Sequence, residues 1–82
     1  MNEFIYTVTD ENGIHARPAG LIVKKAQSYD FDVIIEAKGK TESLKKLLAL
    51  MGMGIKKGDT VRVAAPKGHD ISELYDLFKS NI

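Results

Sequence analysis

The chain has 82 residues, and its twelve basic and eleven acidic side chains leave a formal net charge of +1 at pH 7. That length supports one domain with one modest core, which we expect to span residues 1–82. The near-neutral charge argues against a nucleic-acid-binding protein. The absence of cysteine excludes disulfide bonds and thiolate chemistry and is typical of a reducing cytosol. No apolar run is long enough for membrane insertion and no signal peptide begins the chain, so we expect a cytoplasmic protein.

The apolar periodicity changes several times along the first half of the chain. Residues 3–9 alternate as a half-buried strand does, and a polar turn signal follows at residues 10–13. Alternation returns at residues 31–37, and Lys38-Gly39-Lys40 is typical of a hairpin turn before a short edge strand at residues 41–43. Between the two strands, small and apolar residues recur at helical spacing and predict a helix that packs closely on a sheet: Ala16, Ala19, Ile22, Val23 and Ala26.

The middle segment, residues 43–54, contains more apolar side chains than one face of a short helix can bury. One set has helical spacing, and Leu50 and Met53 lie outside it. Either the helix sits in a groove that covers nearly all of these side chains, or one set faces outward as a docking surface for partners. The set with helical spacing consists of Leu44, Leu47, Leu48 and Met51.

The last third of the chain predicts a strand at residues 61–65 and a well-defined final helix. Asp70 followed by Glu73 resembles a capping box at its start. An apolar stripe at helical spacing follows: Ile71, Leu74, Tyr75 and Phe78. The predicted order is therefore β-α-β-β-α-β-α. Short strands alternating with helices in so small a chain predict an α+β, two-layer open-faced sandwich, with a four-stranded antiparallel sheet and three helices on one face.

Residues 13–19, GIHARPA, contain the candidate chemistry. The first N–H groups of a helix are unpaired and attract anions, and Pro18 loses no hydrogen bond there. A phosphate at His15 would meet those amides and the guanidinium of Arg17, and a neutral imidazole nitrogen has the lone pair that attacks phosphorus. A histidine that only caps the helix, or lies satisfied on the surface, would show the same bare pattern.

The GIHARPA segment after one strand resembles the active-site signature of HPr, the histidine-containing phosphocarrier family of the bacterial phosphoenolpyruvate-dependent sugar phosphotransferase system. The resemblance runs the length of the chain. It implies that Nδ1 of His15 accepts a phosphoryl group from phospho-enzyme I and passes it to the IIA domains of sugar permeases. It also implies that Arg17 and the main-chain amides of Ala16 and Arg17 hold the phosphoryl group, and that Asn12 orients the ring.

The same resemblance implies that Leu47, Leu48 and Met51 form the apolar surface that docks both partners, while Lys24 and Lys45 complement acidic rims. It implies a carrier rather than an enzyme, monomeric, with no cofactor and no metal. The residues left two alternatives open. One is a regulatory paralogue that docks through the same surface, and the other is a small module that binds a ligand or oligomerises.

The sequence departs from the family where many members have a serine at the start of the short helix. Lys46 stands there, so we expect serine-linked regulation to be absent, and Ser43 is a candidate to cap the helix instead. Gly20 and Gly52 also replace larger residues, without a functional reason visible in the sequence. Sugar specificity would reside in the permeases, so this sequence does not identify the sugars.

Overall fold

The computed structural model describes residues 1–82 and contains four strands and three helices in the predicted order. The strands are β1 (Glu3–Thr7), β2 (Ile34–Ala37), β3 (Lys40–Ser43) and β4 (Thr60–Ala64). The helices are α1 (Ala16–Gln27), α2 (Leu47–Gly52) and α3 (Ser72–Asn81). None of these helices is long and apolar enough to cross a membrane.

The four strands form one antiparallel sheet in the order β1-β4-β2-β3, so the last strand in the chain lies between the first two. Consecutive positive φ angles at Lys38 (56°) and Gly39 (76°) make the tight turn that returns β2 into β3, which forms one edge of the sheet. The predicted open-faced α+β sandwich is confirmed.

The core lies between the sheet and the three helices and consists of 20 buried apolar side chains. Alternate strand residues point into it, among them Val61 and Val63 of β4 and Ile35 of β2, all fully buried. Ile22 of α1 is also fully buried, as its predicted stripe requires. Ala16 is the exception to that stripe, because it is the first helical residue and lies exposed.

The start of α3 differs from the predicted capping box. Asp70 Oδ1 accepts hydrogen bonds from the main-chain N–H (3.1 Å) and the hydroxyl (2.6 Å) of Ser72. The hydroxyl bond is the largest cause that lowers the pKa of Asp70 to about 2, followed by the bond from the Met1 amino group at 2.9 Å and then by the Ser72 N–H bond. Glu73 does not reach back to the start of its own helix and instead forms an ion pair with Lys25 of α1. The reciprocal capping prediction was therefore wrong, because a cation on the neighbouring helix lies within reach of Glu73.

The sheet face opposite the helices stays open, and apart from the exposed Ile5 its central side chains are mostly polar. The Thr7 and Thr60 hydroxyls lie 3.0 Å apart across β1 and β4, and the Arg62 guanidinium lies between Glu3 (3.5 Å) and Glu36 (3.9 Å) on the flanking strands. Cross-strand pairs of this kind stabilise the pairing of β4 with both neighbours.

Candidate phosphoryl-acceptor site

His15 occupies the N-cap position of α1 with an extended backbone (φ −107°, ψ 176°). Its carbonyl oxygen accepts the first helical hydrogen bond, from the N–H of Ala19 at 3.0 Å. The imidazole makes no capping hydrogen bond and its side chain is 40% exposed. The ring therefore caps nothing and is accessible at the point where the helix begins, which removes the interpretation of His15 as a capping residue.

The loop before His15 is shaped by a glycine that no other residue could replace without strain. Gly13 has φ +64°, and a Cβ atom at this position would lie 2.3 Å from the carbonyl oxygen of Ile55. That same carbonyl accepts the N–H of Ile14 at 3.1 Å. Close approach of two main chains and a left-handed φ both call for glycine, which explains the glycine of the motif.

The first turn of α1 offers donors for an anion. The amides of Ala16 and Arg17 have no intrahelical acceptor, because the hydrogen-bond ladder begins with Ala19, and Pro18 has no N–H. No acidic residue lies in this turn, and Arg17 is exposed and forms no ion pair within the chain. An anion at this position would meet two amides, the positive end of the helix dipole and a guanidinium.

The side chain nearest to the ring in ion-pair geometry is Asp10, which sequence reasoning did not select. Its Oδ2 lies 3.6 Å from Nε2 of His15. The main-chain N–H of Asn12 donates to the other oxygen, Oδ1, at 2.8 Å, and the Asn12 side chain makes no hydrogen bond with the imidazole. The turn signal at residues 10–13 was visible in the sequence, but its proximity to the ring depends on how the loop closes. The predicted role of Asn12 stays a prediction.

The Leu/Met surface expected from the middle segment is present on α2. Leu48 is 86% exposed, and Leu47 (39%) and Met51 (38%) flank it, while Leu50 is buried. We call Leu47, Leu48 and Met51 the α2 patch. Leu44 does not belong to it: it precedes the helix, its N–H donates to the carbonyl oxygen of Val33 and its side chain is fully buried. The interpretation that a groove covers nearly all of these apolar side chains is therefore wrong for the α2 patch, whereas Leu44 is covered.

The α2 patch lies on the His15 side of the molecule. Gln27, at the end of α1, donates to the Lys45 carbonyl just before α2, while Ile14 at the start of α1 bonds to Ile55 just after α2. The two helices therefore run in opposite directions, and the end of α2 that contains Met51 faces the start of α1.

The two lysines with a predicted role at partner rims differ in their surroundings. Lys24 is exposed and forms no ion pair within the chain. Lys45 is half-buried, and its Nζ donates to the carbonyl oxygen of Tyr29 at 2.9 Å. Ser43 does not cap α2, because it ends β3 and its hydroxyl accepts the N–H of Lys45 at 3.2 Å. Lys46 is the N-cap residue and contributes no side-chain cap.

His15 lies on an open surface rather than in a cavity. The four surface cavities have volumes of about 230 to 390 Å³, and neither His15 nor Arg17 lines any of them. No group of three or more histidine, cysteine or carboxylate side chains is arranged to hold a metal ion. Small-molecule sites are usually concave, so an exposed acceptor of this kind suits a phosphoryl group presented by another protein.

Comparison with known proteins identifies the family. Residues 2–80 match the family model described as the PTS HPr component phosphorylation site. The chain belongs to the HPr phosphocarrier family. It is 41% identical over 58 residues to phosphocarrier protein HPr of Vibrio cholerae, an overlap that covers 71% of this chain and 68% of that protein. Membership of this family makes the chain a phosphocarrier of the phosphotransferase system rather than an enzyme.

Solved HPr structures have the same fold. The histidine-containing phosphocarrier protein of Mycoplasma is 32% identical, with a TM-score of 0.81 over 95% of this chain and 88% of that chain. HPr of Bacillus anthracis is 31% identical, with a TM-score of 0.77 over 94% of this chain and 92% of that chain. The match to HPr proteins over nearly the whole chain removes the alternative of an unrelated ligand-binding module.

Proposed function

We propose that residues 1–82 act as one monomeric cytoplasmic domain that accepts a phosphoryl group on Nδ1 of His15 from phospho-enzyme I and delivers it to the IIA domains of sugar permeases. The observation that carries this proposal is the exposed imidazole at the start of α1, next to two free amides and an unpaired arginine. The histidine supplies the nucleophile, and the helix start supplies the anion site.

In this proposal the site binds the phosphoryl group only moderately, because a carrier must receive and release it with similar ease. The guanidinium of Arg17 and the amides of Ala16 and Arg17 contact the phosphoryl oxygens, and Asn12 supports them from the preceding turn. These donors lie at the surface, so water screens the attraction. A metal-bound cage would hold the phosphate too strongly for rapid exchange.

The α2 patch docks both partners in this proposal. Leu48 supplies the most exposed apolar side chain of the molecule, and a small apolar contact suits an interface that must release quickly. Lys24 is free to meet an acidic rim. Lys45 would do so after exchanging its bond to the Tyr29 carbonyl oxygen for a carboxylate. Because Lys46 replaces the usual serine, we expect no serine-linked regulation, and stoichiometric modification of Ser43 by a kinase would contradict that expectation.

The acceptor is tested by intact mass spectrometry after incubation with phosphoenolpyruvate and a catalytic amount of enzyme I. The chain contains only two histidines, which gives a matched control. His69 is exposed and stacks on Phe31 with ring centroids 4.2 Å apart. Wild type and His69→Ala should gain one acid-labile phosphoryl group, and His15→Ala should gain none. Failure of the folded wild type to gain one with a compatible enzyme I would favour a regulatory paralogue.

The docking surface is tested with two exposed apolar residues on different faces of the molecule. Leu48→Asp places a charge in the α2 patch, whereas Ile5→Asp does so on the sheet face opposite the helices, where Ile5 is 66% exposed. We expect Leu48→Asp to raise the KM for phospho-enzyme I while Ile5→Asp leaves it close to the wild-type value. Equal effects of the two substitutions would contradict docking through the α2 patch.

A further inference from the structure

The carboxylate of Asp10 faces the edge of the imidazole opposite to the proposed acceptor atom. Asp10 Oδ2 lies 3.6 Å from Nε2 of His15, and the Asp10 and His15 side chains are 31% and 40% exposed. No lysine or arginine pairs with Asp10, so His15 is the basic side chain that its carboxylate faces. A partly shielded carboxylate next to one ring nitrogen favours the tautomer in which that nitrogen carries the proton.

The position of Asp10 is fixed by hydrogen bonds that do not involve the ring. Its N–H donates to the Ile82 carbonyl oxygen at 2.7 Å, and its own carbonyl oxygen accepts the N–H of Gly13 at 2.9 Å. Its Oδ1 accepts the N–H of Asn12 at 2.8 Å. These three bonds fix the main chain and one carboxylate oxygen, and they leave Oδ2 free on the side of the imidazole.

We propose that Asp10 is a positioning residue for the acceptor histidine. Its carboxylate holds the proton on Nε2, which leaves the lone pair on Nδ1, and it fixes the orientation of the ring. This inference rests on the proposed function in one respect, the use of Nδ1 as the acceptor. At 3.6 Å the carboxylate acts on the neutral ring through its charge, and in this proposal the separation shortens to a hydrogen bond when the ring becomes cationic.

The transfer step explains why a carboxylate at this position favours phosphorylation. The Nδ1 lone pair of His15 forms a bond to phosphorus while the bond between phosphorus and phospho-enzyme I breaks, and that electron pair stays on the donor. The Nε2 proton does not move, so the imidazole changes from neutral to cationic. The negative charge of Asp10 offsets this developing positive charge, and reverse transfer to a IIA domain restores the neutral ring.

The test is Asp10→Asn, with Glu11→Gln as the matched control. An asparagine can still accept the N–H of Asn12 through its amide oxygen, which preserves the turn, and it then presents its NH₂ group to Nε2. A donor at this point favours the opposite tautomer, with the proton on Nδ1 and no lone pair there. Glu11 is the adjacent carboxylate, its side chain is 88% exposed and it faces Lys57 at 4.0 Å. Its substitution removes the same charge from the same loop without touching the ring.

The first measurement is nitrogen-15 NMR of the imidazoles in the unphosphorylated protein, at a pH where the ring is neutral. We expect the proton of His15 on Nε2 in wild type and in Glu11→Gln, and a shift toward Nδ1 in Asp10→Asn. A persistent Asn12 amide resonance shows that the turn is intact. An unchanged tautomer ratio in Asp10→Asn overturns the proposal.

The second measurement is the initial rate of phosphoryl acceptance from phospho-enzyme I. A half-exposed pair of this kind predicts a rate about twofold to fivefold lower in Asp10→Asn, with Glu11→Gln close to wild type. Equal rates in the two variants, with an active wild type, also overturn the proposal. If wild type itself accepts no phosphoryl group, the proposed function fails, and the tautomer measurement alone then decides whether Asp10 positions the ring.

Discussion

Replacement of Gly13 by alanine should lower the free energy of unfolding by more than the cost of a positive φ alone. Gly13 and Gly54 have the same φ of +64°, but a Cβ at Gly13 would lie 2.3 Å from the Ile55 carbonyl oxygen and 2.8 Å from the Lys56 Cα, whereas a Cβ at Gly54 meets nothing within 4 Å. Gly54→Ala therefore isolates the conformational penalty, and Gly13→Ala adds the steric one.

The magnitude follows from these two environments. A left-handed φ costs an L-residue about 1–2 kcal/mol, and the stiffer unfolded chain offsets about 0.4–1 kcal/mol of it, so Gly54→Ala should lose between about 0 and 1.6 kcal/mol. At Gly13 the two main chains must also separate. This breaks the 3.1 Å bond from the buried Ile14 to the Ile55 carbonyl oxygen and adds about 1–3 kcal/mol.

The assay is urea unfolding of wild type, Gly13→Ala and Gly54→Ala under identical conditions. Because the two substitutions add the same methyl group, equal slopes with urea concentration would allow the midpoints to be compared directly. We expect Gly13→Ala to lose at least about 1 kcal/mol more than Gly54→Ala. Equal midpoints for the two variants would refute the reasoning, because they would mean that the contact with Ile55 does not constrain the loop.

Three further predictions concern other elements. Gly20 lies inside α1, and a Cβ added there would meet nothing within 4 Å. Gly20→Ala should therefore stabilise the fold by about 0.5–1 kcal/mol and raise the urea midpoint. A lower midpoint would contradict the open space at this position. The pKa of Asp70 is lowered to about 2, first by the hydrogen bond from the Ser72 hydroxyl. The ionised Asp70 carboxylate therefore stabilises the fold above pH 4, and this contribution disappears as the pH falls toward 2. The wild-type midpoint should therefore fall more steeply over this range than that of Asp70→Asn, and parallel profiles would contradict the assignment. On α2, Leu50 is 1% exposed and Leu48 is 86% exposed. In urea unfolding, Leu50→Ala should therefore lower the free energy of unfolding by about 2–5 kcal/mol and Leu48→Ala by less than about 0.5 kcal/mol. Similar losses for the two variants would mean that the helix is rotated from the orientation described above.

The order of elements and the acceptor segment could be predicted because local rules govern them. The alternation in β1, the stripe of α1 and the turn at Lys38 and Gly39 each depend on neighbours in sequence. The ends of the elements depend on distant partners. The first strand stops at Thr7, because Asp59, the residue opposite Val8, donates its N–H to the Lys56 carbonyl oxygen within the loop, and the Val8 carbonyl oxygen accepts the N–H of Gly58 instead.

The errors in the middle segment and at α3 have the same physical origin. Leu44 has helical spacing with Leu47 and Met51, yet its backbone follows the β3 strand and bonds to Val33, so the spacing is a coincidence of two elements. Glu73 has the right separation from Asp70 for a capping box, but Lys25 lies closer in space. Asp10 approaches His15 only after the loop closes, and no local pattern encodes that approach.

The bond from the Asp10 N–H to the Ile82 carbonyl oxygen has a consequence for the motions of the site. This oxygen also accepts the N–H of Thr9 at 2.9 Å, and Ile82 is held in turn by its own N–H bond to Phe78 in α3. When the last turn of α3 opens, both loop amides lose their acceptor in the same event. Local openings of this kind are cooperative, so the exchange rates of the Thr9 and Asp10 amides should rise and fall with those of the final turn of α3. The loop beside His15 therefore stays ordered only while the last turn of α3 stays folded, although α3 contributes no side chain to the acceptor site.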